Sequence, residues 1–269
     1  MPAALRRLAR LPLLLALAIA GIAIQLLVFP LLGMQRRRAI VRLWSRALLA
    51  ICGLRLRLLH HQEGDARALL DAGPMVVANH VSWLDIFVID SIATCAFVAK
   101  SEVRRWPLAG WLAAMAGTVF IERARRHAVH QVIERLRTRL RERFPVAVFP
   151  EATTSTGAAL RPFHGNLLEA AIAEGALVVP VGLRYRDHDG NLSEAAAYVD
   201  DMTFVESLWQ VTGVPYIVAD VHVLAPVPAA GRHRHQLARE LRELISDRLE
   251  LPFDDSVPGT VAAFRAASR

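Results

Sequence analysis

Hydrophobic and polar positions divide the chain into two regimes. From Leu11 to Gly33 no residue is charged, and a helix rising about 1.5 Å per residue crosses a hydrocarbon core over that length. A second apolar run, Ala47 to Ile51, follows. Beyond it, short β-rich runs alternate with helical spacings. The runs Met75 to Ala78, Ala96 to Ala99, Thr118 to Ile121, Val146 to Phe149, Leu177 to Leu183 and Tyr216 to Leu224 read as strands. Val129, Val132, Ile133, Leu136 and Leu140 recur at helical spacing, as do Leu237, Leu241, Leu244, Ile245 and Leu249. The pattern predicts an α/β fold, a mixed sheet flanked by helices, preceded by an N-terminal hydrophobic, membrane-anchoring helical segment.

Charge qualifies the anchor. Arg6, Arg7 and Arg10 precede the apolar segment and Arg36, Arg37 and Arg38 follow it, so the flanks give no orientation and leave a full span and a re-entrant hairpin both open. A cleaved signal peptide is the competing reading. Against it stand the length of the apolar stretch, the lack of a small-x-small cleavage site before the arginine cluster, and the second apolar run. A hydrophobic fraction of 54% and a mean hydropathy of +0.32 also point to a membrane-associated protein. The net charge of +7 rests almost wholly on arginine, Lys100 being the sole lysine. Arginine forks suit phosphates and anionic headgroups, and no nucleic-acid signature accompanies them. Cys52 and Cys95 make neither a disulfide framework nor a metal site, and no metal or redox cofactor is expected.

Candidate chemistry begins directly after the first predicted strand, in Asn79-His80-Val81-Ser82-Trp83-Leu84-Asp85. An imidazole with a carboxylate in reach to hold its tautomer is the minimum equipment of a general base. Among ten histidines, one such pair is as easily a helix-start hydrogen bond. Three further segments follow in order: Gly117-Thr118-Val119-Phe120-Ile121-Glu122-Arg123, Val148-Phe149-Pro150-Glu151-Ala152-Thr153-Thr154-Ser155 and Val178-Val179-Pro180-Val181-Gly182.

From about Pro74 to Tyr185 these four blocks resemble the glycerolipid acyltransferases, including the 1-acylglycerol-3-phosphate acyltransferases, whose blocks read N-H-x4-D, G-x-x-F-I-x-R, F-P-E-G-T-R-S and V-P-V. The resemblance implies transfer of a fatty acyl group from acyl-CoA or acyl-carrier protein, as co-substrate, to the free hydroxyl of a lysolipid. His80 would take the hydroxyl proton and Asp85 would orient and charge-stabilise the ring. Gly117, Arg123, Glu151 and Thr154 match blocks associated with the acceptor. Residues 1–58 are then the anchor, 59–250 the acyltransferase domain and 251–269 a tail, with the site facing the cytoplasmic donor pool.

The third block departs from the family. Ala152 stands where glycine is usual, which strains a turn needing positive φ, and Thr154 replaces an arginine able to grip a phosphate monoester. His164 likewise stands where a lysine is frequent. The resemblance names 1-acylglycerol-3-phosphate first, the departures raise lyso-ornithine lipid or another lysolipid, and Arg161 or Arg126 are candidates to replace the missing charge. Two rivals remain: a lipid hydrolase delivering water with the same pair, and an inactive membrane-binding homologue. Ser82 as a nucleophile lacks the strained elbow that exposes such a hydroxyl. Val103 to Met115, with Trp106 and Trp111 beside Arg104 and Arg105, suits either a headgroup boundary or core packing.

Overall fold

The chain is helical from its third residue through the apolar N-terminal segment. The computed structural model describes residues 2–61, 65–100, 118–121, 126–199 and 201–255; the Val103 to Met115 segment, Gly117 and Arg123 lie outside them. Helix α1 (Ala3–Ala23) runs on through a π turn (Ile24–Val28) and a 3-10 turn (Phe29–Leu31). Pro30 and the extended backbone at Leu32 end it. Helix α2 (Met34–Cys52) returns alongside, and Trp44 Nε1 donates to Leu17 O at 3.0 Å. Gly53 closes α2 at φ +83°, where a Cβ would collide with the Arg10 guanidinium at 2.3 Å, so only glycine ends the helix there.

Strand β1 (Leu54–His60) was not expected, yet its Leu-Arg alternation is a period-two pattern. It pairs parallel with β7 (Ile217–Val223) over its whole length, and the anchor boundary expected after residue 58 falls inside it. Helix α3 (Ala66–Asp71) then leads to β2 (Met75–Ala78), α4 (Leu84–Ile92), β3 (Ala96–Lys100) and β4 (Val119–Ile121). Next come α5 (Arg126–Arg141), β5 (Val146–Val148), α6 (Glu169–Ala173) and β6 (Leu177–Arg186). Helix α7 (Phe204–Gly213) precedes β7, and β8 (Val227–Pro228) and α8 (Arg234–Leu249) follow it.

The sheet order is β1-β7-β6-β2-β5-β3-β4, with β8 against β6. Strand β2 is parallel to both β5 and β6, whereas β6 meets β7 antiparallel, so the sheet is mixed. Alternation sends Val76 and Ala78 to one face with Leu49, Leu84, Val88 and Tyr185. Met75 and Val77 go to the other with Val132, Leu136, Leu237 and Leu241. Both helical stripes read from the sequence are thus core stripes, except that Leu244 stays 38% exposed. Each fully buried leucine contributes about 1.5–3 kcal/mol. The arginines of α5 are not merely solvated, since Arg137 and Arg141 both reach Glu174 at 2.7 Å.

Helix α1 is amphipathic in an inverted sense. Along it and the two turns that continue it, the inner stripe holds Arg6, Arg10, Leu14, Leu17, Gly21 and Gln25, while Leu5, Leu8, Leu13, Leu15, Ile19, Leu26, Leu27 and Leu31 are exposed. The inner arginines end on the C-terminus of α7. Arg6 Nε donates to Gly213 O (2.7 Å) and Arg7 Nε to Trp209 O (3.0 Å); Arg10 donates to Thr212 O (3.1 Å), Val214 O (2.7 Å) and Pro215 O (2.8 Å). The last carbonyls of a helix carry the negative end of its dipole, so cations there stabilise it. Arg10→Ala is expected to lower the unfolding free energy by about 1–2 kcal/mol, read by denaturant unfolding in detergent.

Candidate active site

The site lies at the carboxyl ends of β2 and β5, where open α/β sheets place their ligand crevices. Strand β2 is buried throughout and ends on Asn79, whose carboxamide takes over the ladder. Asn79 Nδ2 donates to Leu183 O (2.9 Å), and Leu183 N donates to Asn79 Oδ1 (2.7 Å). This fixes the register of the next residue, His80, against β6.

The chain then turns through Val81–Trp83 into α4, whose first turn carries Asp85. That turn brings the two residues together: His80 Nδ1 and Asp85 Oδ2 are 2.7 Å apart. The same oxygen accepts from the backbone N–H of Val81 (2.8 Å) and Ser82 (2.9 Å). The other, Oδ1, accepts from the hydroxyl of Tyr185 at 2.6 Å. Asp85 is fully buried, and four donors at the N-terminus of a helix are what a buried carboxylate requires to remain charged. With Nδ1 held by the carboxylate, Nε2 is the basic nitrogen. The His80 side chain is 19% exposed, and Nε2 has no protein partner among the described residues. Its ring stacks on Phe149, centroids 4.1 Å apart and planes within 10°.

Glu151 serves the backbone of His80. Its Oε1 accepts from His80 N (2.7 Å) and its Oε2 from Arg161 N (3.1 Å). Both oxygens are thereby occupied, and the carboxyl is 2% exposed. Burial pushes it up to about 7, against the lowering effect of the two amides. Ser155 N donates to His80 O at 2.8 Å, so the loop after β5 holds both backbone polar groups of His80. Thr154 is a strut as well: its hydroxyl donates to Tyr198 O, and Tyr198 N donates to Val81 O at 3.0 Å. In the structure the oxygens of Glu151 and the hydroxyl of Thr154 meet backbone groups, so both residues build the loop that holds His80.

The turn at Ala152 has the strain its sequence implies, with φ +62°. Ser82, the rival nucleophile, is fully buried, and its Oγ has no partner among the described residues, so its hydroxyl is turned away from any substrate. Tyr185 escaped the sequence reading. The signal was its place at an inward position of β6, two residues past Leu183. Trp83 Nε1 donates to Ser207 Oγ on α7 at 3.0 Å, which ties the turn between His80 and Asp85 to the helix that α1 caps. Gly117 and Arg123 lie outside the described residues.

A profile of the Acyltransferase family matches residues 60–184. The chain is 35% identical over 210 residues to a lyso-ornithine lipid O-acyltransferase of Pseudomonas aeruginosa, covering 78% of each chain. The chain belongs to the acyltransferase family. It is also 34% identical over 213 residues to a 1-acyl-sn-glycerol-3-phosphate acyltransferase of Neisseria gonorrhoeae, covering 78% of this chain and 80% of that one. The crystal structure of the 1-acyl-sn-glycerophosphate acyltransferase PlsC from Thermotoga maritima shares the fold. Its TM-score is 0.64 at 23% identity, over 91% of this chain and 96% of that one.

Two outcomes follow for this acyltransferase. Ala152→Gly relieves a left-handed alanine, and is expected to raise the unfolding free energy by about 0.5–1 kcal/mol in denaturant titrations. Glu151 stands above its ordinary value of 4.5, so its contribution to stability is present below pH 4.5 and is lost as the pH rises through about 7. Measured against Glu151→Gln at each pH, the native protein's unfolding free energy is expected to fall by about 3 kcal/mol across that window, with activity of the variant lost because one amide then faces an NH2 group.

Proposed function

We propose that this chain transfers a fatty acyl group from acyl-CoA or acyl-carrier protein to the hydroxyl of a lysolipid at a membrane surface. The observation that carries the reading is His80, held at Nδ1 by Asp85 and clamped at its backbone by the loop after β5, with Nε2 unpartnered. Nε2 takes the proton as the acceptor oxygen attacks the thioester carbonyl. The tetrahedral intermediate then expels the thiolate, which leaves as the thiol with that proton, and an ester remains. No acyl-enzyme is formed, in keeping with the burial of Ser82, and the reading calls for no metal or redox cofactor.

The exposed leucines of α1, with Val205 and Trp209 of α7 exposed at 72% and 52%, support a lipid-facing surface. Helix α1 is long and apolar enough to cross a membrane. However, α2 lies beside it carrying Arg36, Arg37, Arg38, Arg42 and Arg46, and the arginines of α1 grip the domain itself. Insertion into one leaflet keeps these charges out of hydrocarbon. The site then lies at the lipid boundary, on the cytoplasmic side where thioester donors are made.

For the acceptor, Thr154 decides the order. Its neutral hydroxyl is already spent on Tyr198 O, which favours a headgroup without a phosphate monoester, such as lyso-ornithine lipid. The 1-acylglycerol-3-phosphate reading is kept by the Neisseria relative and by Arg161, whose guanidinium has no partner among the described residues.

The test is transfer by purified protein in detergent, with acyl-CoA and acyl-carrier protein offered separately against each acceptor. The expected outcome is acylated lyso-ornithine lipid in excess of phosphatidate, with His80→Ala lowering turnover at least 10²-fold, on the order of a lost general base. Free fatty acid without acylated lipid would replace this reading with a hydrolase.

A further inference from the structure

The hydrogen bond between Tyr185 and Asp85 joins two residues one hundred positions apart and is buried at both ends. Three of the four donors to Asp85 converge on Oδ2, whereas the Tyr185 hydroxyl is the sole donor to Oδ1 among the described residues. Strand register fixes the phenol, because Leu183 is bonded to Asn79 next to His80 and Tyr185 itself pairs with Ala219 of β7. Burial and the adjacent Asp85 carboxylate keep the phenol protonated far above the usual range, so it is a permanent donor.

We infer that Tyr185 is a positioning residue for the acyl transfer, and that by donating to Asp85 Oδ1 it sets the pH at which His80 gives up its proton. The inference rests on the reading of His80 as the base. A hydrogen bond to a carboxylate stabilises its charge and weakens its pull on the proton shared with His80 Nδ1. Without that donor, Oδ1 lies bare in a dry site, the carboxylate becomes more basic, and the His80–Asp85 pair keeps its proton to higher pH. The other ionisable groups facing the pair among the described residues are Glu151, which holds His80 N, and Arg161 beside Glu151. Neither touches Oδ1. Asp90, farther along α4, is engaged with Cys95 N.

The test follows His80 directly, by NMR titration of histidine-labelled full-length protein in detergent, its signal assigned by its loss in His80→Gln. In Tyr185→Phe the midpoint is expected to rise by about 0.5–1 pH unit. The acid limb of the transfer rate is expected to move to higher pH with it, with kcat well down that limb lower by about three- to tenfold and the lysolipid KM unchanged. Replacing the chain's three tyrosines with 3-fluorotyrosine keeps the volume and strengthens the donor, so the midpoint is expected to fall. A His80 midpoint unmoved by both changes in folded protein overturns the inference, since a merely packed tyrosine predicts that result. Shifted midpoints in a protein that transfers no acyl group uphold the positioning role and overturn the functional reading instead.

Discussion

A single buried carboxylate organises the site. Asp85 is removed from water, and a charge there persists only if its lone pairs are met by donors. Those donors come from the end of β2 through His80, from the turn after it through Val81 and Ser82, and from β6 through Tyr185. Each donor fixes a segment in place, so satisfying one charge also sets the turn, the tautomer of His80 and the spacing of two neighbouring strands. Asn79 adds the backbone half of the arrangement by replacing ladder bonds where β2 stops pairing.

Around that carboxylate the loop after β5 acts as a clamp. Glu151 is costly to bury, and burial raises its pKa accordingly, yet its oxygens meet two amides that would otherwise be orphaned. Ala152 sits in a left-handed conformation that few non-glycine residues adopt. Strain and buried charge concentrated in one short loop are the pattern of a segment shaped by its site rather than by its own stability. Phe149, stacked on the imidazole, begins that loop.

The N-terminal helix obeys the opposite rule from the core. Helix α1 turns Arg6 and Arg10 inward to the carbonyls at the end of α7, and Leu5, Leu8, Leu13, Leu15 and Ile19 outward. A surface of that kind suits lipid better than water, as the proposed function requires. Because Trp83 bonds to Ser207 on the same α7, the helix that α1 caps also touches the turn between His80 and Asp85.

Periodicity and local order along the chain encode six of the strands, the two long core helices, the apolar N-terminal helix and the His80–Asp85 pair five residues apart. These were legible because alternation, helical spacing and a short turn act within a few residues. Strand β1 and the arginine contacts of α1 with α7 were not, since an L-R-L-R run and a cluster of arginines acquire meaning only from β7 and from carbonyls about two hundred residues away. Glu151 and Thr154 were visible as motif positions, but only the folded chain showed that their oxygens face backbone groups. Tyr185 is the clearest case. A tyrosine in a hydrophobic strand reads as packing, and only the register of β6 against β2 decides that its hydroxyl meets Asp85, because hydrogen bonding depends on ångström-scale placement that the sequence pattern does not carry.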